Sequence, residues 1–266
     1  MKIAFVQLQP EFGEIDNNID KAIDMMKSKS ADLYVLPELF NTGYVFTSGD
    51  ELDELSEPAY TGRTSLAISD FARANKCAVV FGFAEKAFDG IYNSCVFVND
   101  SGNFKLYRKL HLFMNEKKYF MPGNLPLEVF SFRGATLGMM ICFDWIFPEV
   151  TRCLALMGAD IICHPANLVM DYCQESMKAR SIENHVFTIT SNRIGEEKRN
   201  NTSFVFTGKS QITDCFGAVI YRASDDKEEI YIADINVEEA RNKEINDFND
   251  LWNDRRTEYY FRLGGK

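Results

Sequence analysis

The chain has 266 residues, 46% of them hydrophobic, so it can bury a sizeable core without disulfide staples. Its formal charge of −10 is spread along the sequence with basic residues mixed into most segments, which favours solubility and argues against nucleic acid as a partner. No stretch approaches the roughly 18 uninterrupted apolar residues of a membrane span, so no membrane partner is expected.

Met1-Lys2 runs straight into Ile3-Ala4-Phe5-Val6, too short an apolar stretch for a signal peptide; it reads as a first strand, and the expected compartment is the cytoplasm. Apolar residues at Ile15, Ile19, Ala22, Ile23 and Met26 fall at helical spacing, with Asp16 or Asn17 as the expected cap. Leu33-Tyr34-Val35-Leu36 forms a short strand stopped at Pro37. From Phe40 to Gly62 the chain is polar, carries glycines and lacks periodicity, so a long loop is expected, followed by a helix over Ser65 to Asn75. Strands at Ala78 to Ala84, Ile91 to Val98 and Phe104 to Arg108 are divided by Asp89-Gly90 and Asp100-Ser101-Gly102, which predicts an antiparallel meander. Strands at Glu128 to Phe132 and Ala135 to Ile141 precede a helix over Pro148 to Met157 that Gly158 ends. A strand at Ile161 to Cys163, a helix over Ser176 to Asn184 and a strand at Val186 to Ser191 come next. Strands near Phe204, Ile212, Val219 and Ile230 lead into a charged, aromatic tail from Asn242 to Arg262. No linker or short repeat divides the chain, so one α/β domain spanning 1–266 is expected, with helices covering a sheet sandwich.

The seven cysteines are odd in number, scattered and mostly embedded in apolar runs, which predicts reduced, buried thiols. There is no Cys-x-x-Cys pair, and His111, His164 and His185 lie far apart without ligand spacing, so neither a metal nor another cofactor is expected.

Three reactive side chains each sit just past a strand: Glu38, Lys109 and Cys142, separated by 71 and then 33 positions. Ligands of α/β proteins bind beyond the carboxyl ends of strands, so the three can converge. Singly, each has an ordinary explanation: a core cysteine, a surface carboxylate, a solvated basic cluster with Arg108 and His111. The run Phe143-Asp144-Trp145-Ile146-Phe147-Pro148-Glu149 is a strand-to-helix crossing, where a helix N-terminus is expected to lower the thiol pKa. Together the three supply what amide hydrolysis needs: a thiol, a carboxylate general base that returns the proton to the departing amine, and an ammonium for the oxyanion.

The segments around them resemble the nitrilase superfamily of carbon-nitrogen hydrolases. Leu36-Pro37-Glu38-Leu39-Phe40 is similar to its glutamate motif, Tyr107-Arg108-Lys109-Leu110-His111-Leu112-Phe113 to its lysine motif, and Met140-Ile141-Cys142-Phe143-Asp144-Trp145-Ile146-Phe147-Pro148-Glu149 to its cysteine motif. Further likeness covers Asn115 to Gly123, His164 to Leu168, Ser181 to Asn184, Asp254-Arg255-Arg256 and Tyr259-Tyr260-Phe261. The resemblance implies a four-layer αββα sandwich that forms homodimers or higher homo-oligomers, with residues from about 242 to 266 as a tail used in subunit contact. It implies that Glu38 deprotonates Cys142, that Lys109 and the Phe143 N–H hold the oxyanion, and that Glu116 assists as a second glutamate. An ordinary reading of Glu116 is a charge in the solvated run Glu116-Lys117-Lys118. A small amide or N-carbamoyl compound is the implied substrate, cleaved through a thioester.

True nitrilases usually carry tryptophan and glutamate after the cysteine; Phe143-Asp144 is closer to the amidase and carbamoylase branches, with nitrile hydrolysis as the alternative. A catalytically silent binding protein on the same fold should have lost a catalytic residue type, and all three are present. A papain-like hydrolase would need His164 or His185 as base, yet His164, at a strand end, reads as structural. Tyr44, Phe113, Trp145 and Asn167 are pocket candidates, equally readable as core, and Arg193 could meet a substrate carboxylate or pair structurally.

Overall fold

Alternation along the first strands divides the core. In β1 (Lys2–Gln7), Ile3 and Phe5 belong to one buried cluster while Ala4 and Val6 belong to another, because successive side chains leave opposite faces of a strand. The structure is a computed structural model, described here for residues 1–260. After β1 come α1 (Ile15–Lys27), β2 (Leu33–Val35), α2 (Gly49–Leu55), α3 (Arg63–Asn75), β3 (Ala78–Ala87), β4 (Gly90–Asn99), β5 (Phe104–Arg108) and the single-turn α4 (Glu116–Tyr119). The second half holds β6 (Val129–Phe132), β7 (Ala135–Met139), a 3₁₀ turn at Cys142–Ile146, α5 (Pro148–Leu156), β8 (Ile161–Pro165), α6 (Cys173–Asn184) and β9 (Phe187–Ser191). Then follow the hairpin β10 (Glu196–Arg199) and β11 (Thr202–Val205), β12 (Gln211–Thr213), β13 (Val219–Arg222) and β14 (Glu229–Asp234). The last elements are α7 (Glu238–Arg241) and a small hairpin, β15 (Glu244–Asn246) with β16 (Asn249–Asp250).

Two six-stranded sheets result, in the orders β14-β1-β2-β3-β4-β5 and β13-β12-β9-β8-β7-β6. One core lies between them: Phe5, Val35, Val80 and Phe97 of the first sheet meet a cluster containing Leu137, Met139, Cys163 and Ile189 of the second. The opposite face of the first sheet, with Val79, Phe81, Val96 and Val98, is covered by α1 and α3 through Ile15, Ile19, Ile68 and Phe71. Val150 and Leu154 of α5 and Met177 of α6 cover the second sheet. The molecule is thus a four-layer αββα sandwich, as the family resemblance implies.

The topology brings the reactive residues together. Strand β2 runs parallel to β3, while β4 is antiparallel to β3 and β5 antiparallel to β4, so β2 and β5 finish at the same edge. The meander read from sequence therefore returns Lys109 to the side on which Glu38 leaves β2.

Three local expectations are corrected. Glu14, not Asp16 or Asn17, precedes α1, and no side chain caps it; Asp16 faces Arg63 instead. The expected loop from Phe40 to Gly62 contains α2, capped by Ser48 accepting from the Glu51 N–H, and its 40–46 stretch is buried despite its polar look. The strand before Cys142 ends at Met139, because the Asp144 carboxylate captures the Ile141 N–H. Part of the expected tail, 261–266, lies outside the described residues.

Gly82 of β3 fixes how close the Glu38 loop lies. A Cβ there would stand 2.5 Å from Glu38 Cα and 2.9 Å from Leu39 N, backbone atoms that cannot swing away. Gly82→Ala should lower stability by about 2 kcal/mol or more and displace Glu38. Gly49→Ala, where a Cβ meets open space, should stay within about 0.5 kcal/mol. Urea unfolding of both variants checks this, and equal stabilities would contradict it.

Candidate active site

The Lys109 ammonium is buried between two carboxylates: its Nζ donates to Glu38 Oε1 at 2.7 Å and to Glu116 Oε1 at 2.6 Å, with all three side chains at most 3% exposed. Water is replaced by opposite charge, which is how a buried ammonium is tolerated. Burial alone would depress the Lys109 pKa, but Glu116 and Glu38 outweigh it and hold the group protonated, above its ordinary value. Burial drives the Glu116 carboxyl up, with Lys109 opposing and Glu38 adding to the rise, to about 7. Glu116 is therefore no member of a solvated charge run: it accepts from Lys109, from the Tyr44 hydroxyl at 2.8 Å and from the Phe113 N–H at 2.8 Å.

Asn93 of β4 ties two of these segments together. Its side chain donates to Glu38 Oε1 at 2.7 Å and its main-chain carbonyl accepts the Lys109 N–H at 2.8 Å. That leaves Glu38 Oε2 buried and without a partner among the described residues.

Cys142 sits at the start of the 3₁₀ turn with φ +41°, a left-handed conformation unusual for a residue with a Cβ. Asp144, fully buried, holds that turn. Its Oδ2 accepts from Ile141 N at 2.9 Å and from the Tyr107 hydroxyl at 2.8 Å, and its Oδ1 accepts from His111 N at 3.1 Å and His111 Nδ1 at 2.7 Å. Tyr107 and His111 flank Lys109, so this carboxylate fastens the lysine segment to the cysteine segment. From the other side His164 Nε2 donates to the Cys142 carbonyl at 2.9 Å. Because a carbonyl only accepts, the Nε2 carries the proton, and Nδ1 accepts from Thr190 at 3.0 Å.

The expectation of a lowered thiol pKa is overturned. Burial, then the neighbouring Glu38 charge, push Cys142 well up, and Lys109 only partly offsets them; the thiol donates to the Asn167 main-chain carbonyl at 3.7 Å.

Phe113, Phe143, Trp145 and Asn167 line a small, partly open pocket with Cys142. Tyr44 does not: with Glu116 it borders a separate small pocket, beside Tyr119 and Phe204. Asn167 donates to the Glu38 carbonyl at 2.9 Å, so it also braces the glutamate loop. Arg193 is 1% exposed and pairs with Glu197 at 2.6 Å over the Phe206 ring, which makes it structural. Glu197 in turn accepts from the Tyr44 and Val45 N–H groups, holding the 40–46 stretch inside. Sequence reasoning misses Asn93, Tyr107 and Glu197, and uses Asp144 only as a mark of subclass; none carries a local signal that reveals its distant partner.

Burial lowers the His164 pKa from 6.5 to about 4. The unfolded chain therefore binds the proton more readily, so the stability that neutral His164 contributes is full above pH 6.5 and is lost as pH falls toward 4. His164→Gln, which keeps a donor near the Nε2 position, should lose this slope: its stability deficit against wild type should shrink by about 2 kcal/mol between pH 7 and pH 5. Urea unfolding at both pH values reads it, and a deficit independent of pH would contradict it.

A family profile described as carbon-nitrogen hydrolase matches residues 2–244. Over 265 residues, 98% of this chain and 100% of the relative, the sequence is 46% identical to a nitrilase of Pyrococcus abyssi (strain GE5 / Orsay). It is 33% identical to an (R)-stereoselective amidase of Pseudomonas sp, covering 85% of this chain and 82% of that one. A solved carbon-nitrogen hydrolase from Helicobacter pylori G27 superposes with a TM-score of 0.88 at 26% identity, covering 100% of this chain and 98% of that chain. With the matched profile spanning nearly the whole sequence, the chain belongs to the carbon-nitrogen hydrolase family and is a hydrolase of carbon-nitrogen bonds.

Proposed function

We propose that the protein hydrolyses small carboxamides or N-carbamoyl compounds, with Cys142 as nucleophile, Glu38 as general base, Lys109 and the Phe143 N–H as oxyanion donors, and Glu116 as an assisting carboxylate. The observation that carries this is the unpartnered Glu38 Oε2: Oε1 is occupied by Lys109 and Asn93, leaving one buried carboxylate oxygen to take a proton. A thiol whose pKa is raised rests protonated and needs such a base at the moment of attack.

In this mechanism Glu38 Oε2 removes the Cys142 proton as Sγ attacks the carbonyl carbon, and the carbonyl π electrons move to oxygen. Lys109, kept protonated by its two carboxylates, stabilises that oxyanion in a site without bulk water. When the tetrahedral intermediate collapses, Glu38 returns the proton to nitrogen and ammonia or amine leaves. Water, deprotonated by Glu38, then attacks the thioester, and release of the carboxylic acid regenerates the thiol. Glu116 holds Lys109 in place and shares its charge.

The Pyrococcus abyssi relative favours a second reading, nitrile hydrolysis by the same residues, in which Cys142 adds to the nitrile carbon before two waters are consumed. Cys142→Ala should abolish ammonia release from either substrate while leaving the unfolding transition in place, and Glu38→Gln should cut kcat by about two orders of magnitude or more. Supplying a matched amide and nitrile decides between the readings: consumption of the nitrile alone would refute the amide proposal, and turnover by Cys142→Ala would refute the nucleophile.

The shared inter-sheet core supports reading the chain as one domain. Exposed Ile245, Phe248 and Tyr259 support a tail that meets a second copy in a homodimer. Among the described residues no helix is long and apolar enough to cross a membrane, and all seven cysteines are free, which supports a reducing, cytoplasmic setting.

A further inference from the structure

Two residues that line the pocket beside Cys142 each carry a buried polar atom that the mechanism does not use. Trp145 and Asn167 are each 3% exposed, and both line it. Trp145 Nε1 and Asn167 Oδ1 are buried without a hydrogen-bond partner among the described residues. The Asn167 amide is not free to turn over, because its Nδ2 donates to the Glu38 carbonyl; Oδ1 is therefore an acceptor held in place. The indole is a donor only. Leaving either unsatisfied is costly, so a ligand that pairs with both gains more than one that merely fills the space.

The rest of the wall excludes charge. Phe113, Leu168, Val169 and Met170 are apolar, and among the described residues no lysine, arginine, aspartate or glutamate lines this cavity. Lys109 is committed to Glu38 and Glu116, and Arg193 to Glu197. A carboxylate or ammonium on the acyl group would lose its hydration with nothing to replace it.

We infer that the cavity selects a compact, uncharged acyl group bearing a second group that both donates and accepts a hydrogen bond, a hydroxyl or a primary carboxamide, held between Trp145 Nε1 and Asn167 Oδ1. The inference rests on the amide-hydrolase reading above. A hydroxyl is the smallest group with both functions, an oxygen that can accept from the indole N–H and a hydrogen that can be donated to Asn167 Oδ1. Trp145 and Asn167 are then specificity determinants.

Lactamide and isobutyramide test this, since they differ by a hydroxyl in place of a methyl. Wild type should favour lactamide in kcat/KM by about tenfold or more. Trp145→Phe removes the donor but keeps most of the aromatic volume, and should bring that ratio to within about threefold of unity. Calorimetric binding of both amides to Cys142→Ala gives the same comparison without turnover, and should show the same preference even if Trp145→Phe fails to fold. Ammonia from both amides at equal kcat/KM in wild type, equal affinity in Cys142→Ala, or a preference that survives in folded Trp145→Phe would overturn the assignment. Ammonia from neither amide would overturn the amide reading itself, and the inference with it.

Discussion

The site depends on one buried cation shared by two carboxylates. Removing the Lys109 ammonium from water costs several kcal/mol, and Glu38 and Glu116 at 2.7 and 2.6 Å make that burial tolerable. Much else follows from keeping them there. Asn93 ties the glutamate to the lysine strand, Tyr44 and the Phe113 N–H complete the coordination of Glu116, and Glu197 holds the loop that carries Tyr44. Three formal charges in one buried place leave the Glu116 pKa at about 7 and Lys109 protonated; the proposed mechanism uses that ammonium for the oxyanion.

The cysteine is held by a separate construction. Its positive φ directs the backbone sharply from β7 into the turn, and that conformation is maintained by Asp144 on one side and His164 on the other. Both supports are themselves saturated: Asp144 by Tyr107 and His111, His164 by Thr190. Buried polar groups that each satisfy several partners leave few alternative arrangements. The same burial raises the thiol pKa, which is why the proposed mechanism gives Cys142 a general base.

Parts of this arrangement are legible in the chain's local patterns. The first strand at Ile3 to Val6, the meander ending at Arg108, and the placing of Glu38, Lys109 and Cys142 just past strands follow from apolar runs and turn residues. Glu116 is legible only through the family motif, since its neighbours Lys117 and Lys118 give it the look of surface charge. The buried 40–46 stretch has the local features of an ordinary loop because its partner, Glu197, lies about 150 residues away. Arg193 leaves a choice between substrate and structural pairing that only its contact with Glu197 resolves.

The sequence by itself determined most strands of the two large sheets, the chemical types just past three of them and the family resemblance, because these depend on apolar runs and on short motifs. Tertiary structure alone decided which oxygen of Glu38 is unoccupied, that burial and Glu38 push the Cys142 thiol pKa up, and which polar atoms of the pocket-lining residues are buried unpaired. Those properties depend on burial and on contacts between residues distant in the chain. A titratable group's behaviour is set by the water it loses and the charges it meets, and neither is encoded in its immediate neighbours.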